Sequence, residues 1–395
     1  MTSPSENRQN LSFSFVCSHP SRGTMQPRLV TRMVICAIAA AASVAMAQAG
    51  LNSDGRAPSV GLLNARALAL NPTNSKLYAV DAAAGTISIA DGRTHVTSMV
   101  KVGVHPVAVA VNTSTNRAYV ANNGSASISV VDGSTDAVVA TIAVGRTPYV
   151  VAVNPVTNKI YVSNTFNNRI TIIDGATNAT RSVQAGSADS ILVDSDKNKI
   201  YLLSYESSTF TVLDGTTDAI FHRSAGKMHL WGFAQDAATD EIYVGRIENA
   251  DVAALRESSE PAVAIPTGKI PCAIAINPRT NRIYVANYED ASVTVVDEGK
   301  HLAIATIPVG EHPHAVAVDP DANLIYVANT HSNSVTVIDG ATNRSITTLS
   351  AGHSPYALAV DSKNDLLYVS DLDDRSLTQI DVHVLRERAA LRQRP

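Results

Sequence analysis

Five of the eleven histidines, His105, His229, His312, His314 and His353, fall in a short loop that follows a glycine or in the residue after it. Imidazoles brought together from separate stretches of chain could hold copper or zinc, both of which suit nitrogen ligands. A metal centre also needs partners that orient its ligands, and none recurs here. The second residue after the loop glycine reads Leu63, His105, Thr147, Ala188, Met228, Ile270, His312 and Ser354, with no carboxylate or cysteine at a matching place. Loop histidines without such support ordinarily bond backbone or water. The expectation is therefore no cofactor, with copper or zinc as the alternative and the five histidines as its ligands.

Acid–base chemistry of the lactonase or quinoprotein kind would require carboxylates that converge on one point. The candidates are Glu206, Glu248, Glu289, Asp290, Asp371, Asp373 and Asp374. None forms a repeated pair, and acids in polar loops are usually solvated. No glycine-rich phosphate loop, GxSxG elbow or HExxH helix follows residue 50. The net charge of −4, with no basic block in the repeats, argues against nucleic acid as a partner.

The elements that must position these residues are repeated. A tyrosine opens a short apolar run at Tyr78, Tyr119, Tyr161, Tyr201, Tyr243, Tyr284, Tyr326 and Tyr368, at spacings of 41, 42, 40, 42, 41, 42 and 42. Around Tyr326 the segments HAVAV, LIYVAN and SVTVID alternate with period two, as strands do. These are strands A, B and C, and a weaker segment such as ATIAV at 140–144 makes strand D. The A–B link is NPxTN in several copies (Asn71-Pro72, Asn154-Pro155, Asn277-Pro278), where proline presets φ and asparagine supports a tight turn. The C–D link is Asp-Gly after Asp91, Asp132, Asp174, Asp214 and Asp339, where glycine would accept positive φ. Four antiparallel strands per unit of about 42 residues, with no stretch long enough for a crossover helix, specify an all-β β-propeller. Eight blades are expected, with seven as the alternative. The eighth copy lacks a strand D, and DGRAPSVG at 54–61 resembles one, so an N-terminal strand would close the ring.

Outside the repeats, residues 1–24 read as an upstream leader, with Met25 as the expected start. Residues 25–49 carry two arginines and then the apolar run MVICAIAAAASVAMA, the pattern of a secretory signal peptide and too short to span a membrane. The propeller occupies 50–381, and 382–395 form an arginine-rich tail in which Leu385 and Leu391 could share one side of a short helix. Cys272 alone remains after the signal, beside Pro271, and reads as a small buried apolar residue.

The phrases IYVANY, IYVANT, AYVANN and IYVSNT, with VTVID and NPxTN around them, resemble the YVTN-type β-propeller repeat proteins of bacteria and archaea. The resemblance spans about 56–381 and implies the fold; related propellers bind proteins, surface polymers or DNA, so it does not choose a function. In propellers generally the D–A and B–C loops share one face. Here that face carries the sequence variety, and strand A, being innermost, brings its loops to the channel mouth. The expected ligand-binding rim is His105, Arg146, Tyr149, His229, Trp231, Lys269, His312, His314, His353 and Tyr356, with His331 further out. Trp231, the single tryptophan, lies in the least regular copy, where 251–260 reads DVAALRESSE. It either joins Met228, His229 and Arg246 in a recognition patch or, as isolated tryptophans more often do, packs in the core. The functional expectation is an exported, non-catalytic, monomeric binding scaffold, periplasmic or extracellular. Its partner would be a protein, a cell-surface polymer or a small ligand, and an enzyme with its site at the channel mouth is the alternative.

Overall fold

The structure is a computed structural model that describes residues 67–392 apart from 95, 187, 206–208, 226–228, 237, 257–258 and 375. It contains eight antiparallel sheets in sequence order, seven of four strands and an eighth with three among the described residues. The first strand of each blade is innermost: Leu68–Asn71, Pro106–Asn112, Pro148–Asn154, Ser190–Asp194, Leu230–Asp236, Pro271–Asn277, Pro313–Asp319 and Pro355–Asp361. Inner strands of neighbouring blades pack on one another, Gln235 bonds Asp194 at 2.8 Å between the fifth and fourth, and Leu68–Asn71 packs on Pro355–Asp361, so the ring closes with eight blades. The expected N-terminal strand at 54–61 lies outside the described residues, as do the leader and the signal peptide.

Burial follows position in the blade. Strand A of the seventh blade, PHAVAVD, is buried along its whole length, because neighbouring blades cover both of its faces. Strand D of the second blade, Ala137–Ala143, is mostly exposed at the outer edge. The repeated tyrosines are the largest fully buried side chains and fill the space between blades.

The turns bind neighbouring blades together. Asn71, Asn112, Asn154 and Asn277 each donate a side-chain hydrogen bond of 2.8–2.9 Å to the asparagine closing the next blade's A–B turn: Asn116, Asn158, Asn198 and Asn323. Those acceptors hold φ of 51–53°, a left-handed conformation that asparagine tolerates. The Asp-Gly glycines depart from expectation: none of Gly92, Gly133, Gly175, Gly215 and Gly340 has positive φ, and the left-handed residues are instead Asp136, Asn178, Asp218 and Asn343, at 54–62°. Glycine is needed there for space. A Cβ on Gly133 would stand 2.8 Å from the Tyr78 hydroxyl of the preceding blade, and one on Gly92 would stand 2.9 Å from the Tyr368 hydroxyl. The second contact joins the eighth blade to the first, so the ring closes with the same contact that joins the first blade to the second and the sixth to the seventh.

The tail forms helix α1, His383–Arg392. Val382 and Ala389 are buried with the core of the last two blades, while Leu391 is exposed, so the two leucines do not form a common docked face. Arg386 bonds Asp319 at 2.6 Å, the carbonyl of Ser362 at 2.6 Å, and Asp365. Its charge is therefore neutralised within the fold.

Candidate functional site

The inner strand of most blades carries an extra residue near its start. Register against strand B slips at Val107, Tyr149, Cys272, His314 and Tyr356, each the second residue of its strand. Such a bulge bends the strand and re-aims the extra side chain. In the fifth blade the slip falls instead at Gly232, where φ is +63°. There Trp231 stays in register opposite Gly245, and a Cβ on Gly232 would stand 2.8 Å from the carbonyl of Cys272.

Side chains from the starts of three of these strands meet between blades. Trp231 and His314 belong to the fifth and seventh blades, yet their rings are 6.4 Å apart and edge-on. His314 stacks on Tyr356 at 4.0 Å, and Tyr288 touches both Trp231 and His314 edge-on or tilted at 6.2–6.3 Å. Trp231, His314 and Tyr356 are only 3%, 1% and 4% exposed, so three of the ten expected rim residues form a plug between blades. Cys272 is fully buried beside them, donates to the carbonyl of Pro313 at 3.1 Å, and has its thiol pKa pushed up by burial, as expected of an inert core cysteine.

The remaining expected residues lie on the D–A and B–C loop face, where backbone bonds pair the two loops of each blade (Asn123 N to His105 O, Thr330 N to His312 O). His229 stacks on Tyr205 at 4.9 Å and meets Glu248 at 3.0 Å. His312 lies flat on Tyr288, 4.4 Å between centroids and 5° from parallel, with its Nδ1 2.8 Å from that of His331. Burial and the neighbouring His331 charge lower the His312 pKa below the ordinary imidazole value. His353 meets Asp374 at 2.8 Å, and the Arg146 guanidinium lies over Phe166 at 5.6 Å. Lys269 and His105 are exposed, and Tyr149 is half-buried against the core. The five histidines do not converge, and among the described residues no three metal-ligating side chains stand together.

The loop acids mostly hold loops in place. Asp290 accepts the backbone N–H of Lys269 at 2.8 Å and Asp374 that of His353 at 2.7 Å, as Ser125 and Ser332 do for Val104 and Glu311. Asp373 accepts from Ser354, and Asp371 from Thr378, in the place where other blades have the YVAN asparagine. Arg246 occupies that same place in the fifth blade and makes a two-pronged pair with Asp251, so it is not a free recognition group. Glu206 and Met228 lie outside the described residues.

One cluster has no counterpart in the sequence reading. On the opposite face the sixth blade has Glu298 where others have the Asp-Gly glycine, and Tyr243 of the fifth blade donates to Glu241 at 2.6 Å and to Glu298 at 3.2 Å. His301 Nε2 lies 2.7 Å from Glu241, and Arg256 donates to Glu241 at 2.8 Å. Burial, then a hydrogen bond to Asp236 and that group's charge, push the Glu298 pKa up to about 8. The broken turn, Asp297-Glu298-Gly299, was the available signal in the sequence.

No protein-family model matches the chain, and no curated protein matches it in sequence. Solved structures do share its fold. Hydrazine synthase from Kuenenia stuttgartiensis aligns at 18% identity and a TM-score of 0.56, over 80% of this chain and 95% of that one. The dihydro-heme d1 dehydrogenase NirN, solved in complex with DHE, aligns at 14% identity and a TM-score of 0.68, over 80% of this chain and 72% of that one. At such identities these similarities establish a shared β-propeller architecture alone.

Proposed function

We propose that this chain is an exported recognition scaffold of the YVTN-repeat type, which binds its partner on the loop face along the arc of the fifth to eighth blades. The observation that carries this is the division of labour among the variable residues. Asp290, Asp371, Asp373 and Asp374 are bonded to loop backbone and hydroxyls, while Tyr288, His312 and His331 give a packed aromatic and imidazole surface, with His353 paired to Asp374 in the next blade. Rigid aromatics flanked by polar loops suit a protein, peptide or polysaccharide surface, because they offer contact area at low entropic cost. The signal-peptide pattern at 25–49 supports export. Among the described residues no helix is long and apolar enough to cross a membrane.

An enzyme is the alternative, favoured by the enzyme names of both structural neighbours, one of them solved with a bound group. Trp231, His314 and Tyr356 are buried against one another, so these three residues offer no open face to such a group. The test is a panel of peptides and bacterial surface polysaccharides, presented to the tag-free chain and to a Tyr288→Ala, His331→Ala double variant. Retention by the wild type that the double variant loses is expected. Turnover of a lactone or redox substrate, with no ligand retained, would transfer the chain to the enzyme class.

A further inference from the structure

In the third, fifth and eighth blades the D–A and B–C loops are tied together through side chains at one corresponding pair of positions. The pair is His229 with Glu248 in the fifth blade and Ser354 with Asp373 in the eighth, while in the third Thr147 accepts the backbone N–H of Phe166. Each of these joins a donor to a complementary acceptor. In the seventh blade the same two positions are His312 and His331, with rings 4.4 Å apart and nearly perpendicular, and Nδ1 atoms 2.8 Å apart, so that one neutral imidazole donates to the other. Two imidazoles make a weak clasp, since protonating both sets like charges against each other. They make a good chelate. Two imidazole nitrogens at about 2.0–2.1 Å from one ion, at roughly 90–110°, stand about 2.9–3.4 Å apart. The observed separation differs from that by a small ring rotation.

We propose that His312 and His331 bind one divalent transition-metal ion through their Nδ1 atoms, copper(II) in preference to zinc(II). The loops are already set for this. Thr330 N bonds the carbonyl of His312 at 3.0 Å and His331 N that of Glu311 at 3.3 Å, so the backbone fixes the distance between the two rings. Tyr288 lies parallel beneath His312 and restricts its rotation. His331 is exposed, which gives the ion a path in. Among the described residues no third ligating side chain joins them, so the other coordination positions fall to water or to a group on an approaching partner. Copper(II) leads because nitrogen sites hold it more tightly than zinc(II). The site shares His312 and His331 with the proposed recognition surface, but copper binding by the chain alone is read with no partner present.

The test uses tag-free wild-type chain with copper(II) or zinc(II) chloride alone, at one fixed pH, by calorimetry and electron paramagnetic resonance. One copper(II) per chain is expected, tighter than zinc(II), with a spectrum that shows coupling to two nitrogens. His331→Ala and His312→Ala should each weaken copper binding about tenfold or more, while His105→Ala and His353→Ala leave it unchanged. Absence of bound copper at micromolar protein, coupling to a single nitrogen, or His331→Ala within about twofold of wild type would overturn the proposal.

Discussion

Glu298 keeps a proton at neutral pH because it is buried, bonds Asp236 and faces the charges of Asp236 and Glu241. Its pKa is about 8 in the fold against an ordinary value of 4.5, so between those limits the folded chain binds a proton that the unfolded chain lacks. Stability from this group is full below the lower value and is lost as pH rises through the upper one, at up to about 1.4 kcal/mol per pH unit. Glu298→Gln should flatten the decline between about pH 5 and pH 8, followed by urea denaturation across that range. An unchanged slope would remove Glu298 as its source. Trp231 offers a second test at this scale. It is 3% exposed, and its Nε1 has no hydrogen-bond partner among the described residues, so its contribution lies in packing. Trp231→Ala should cost about 3–5 kcal/mol. Trp231→Phe should recover most of that loss, because the indole N–H contributes no bond. Equal losses for both variants would point to a specific role for the indole.

At the scale of elements, the turns and the tail carry energy that their sequences only partly disclosed. The repeated asparagine was legible as a turn former, yet its larger task is to bond the next blade, which a single copy read alone cannot reveal. The Asp-Gly glycine was legible as necessary, but for the wrong reason: the demand for space comes from the residue closing the same blade's A–B turn, an asparagine except at Gly92, and, at Gly92, Gly133 and Gly340, also from a tyrosine of the preceding blade. Asn277→Ala should leave Asn323 without its interblade donor and cost about 1–3 kcal/mol. Thermal unfolding measures this, and no change in Tm would count against the interblade bond. The C-terminal helix has a similar history. Its sequence read only as an arginine-rich tail, whereas Arg386 reaches Asp319, which is fully buried. Arg386→Ala should cost about 3–5 kcal/mol, since it strands a buried carboxylate. A paired Arg386→Met, Asp319→Leu variant should restore most of the loss, and failure to restore it would mean that packing of the helix matters more than the ion pair.

At the scale of the molecule, the ring of eight blades and its two unlike faces follow from the tyrosine spacing, because a repeat that cannot bury its own tyrosine must stack on the next. The site was legible only as a face. Trp231, His314 and Tyr356 were expected on a rim, but the bulged starts of strand A turn such positions inward, and bulges leave no mark in a period-two pattern. Tyr288 became part of the surface through stacking across blades, which no local spacing encodes. The central claim is that recognition takes place on the loop arc of the fifth to eighth blades. Hydrogen exchange of the chain with and without a ligand from the peptide and polysaccharide panel tests it most directly. Added protection should appear in the loops at 268–270, 288–291, 311–312 and 330–333. Protection confined to the Asp-Gly and Asn-Pro turns of the opposite face would contradict it.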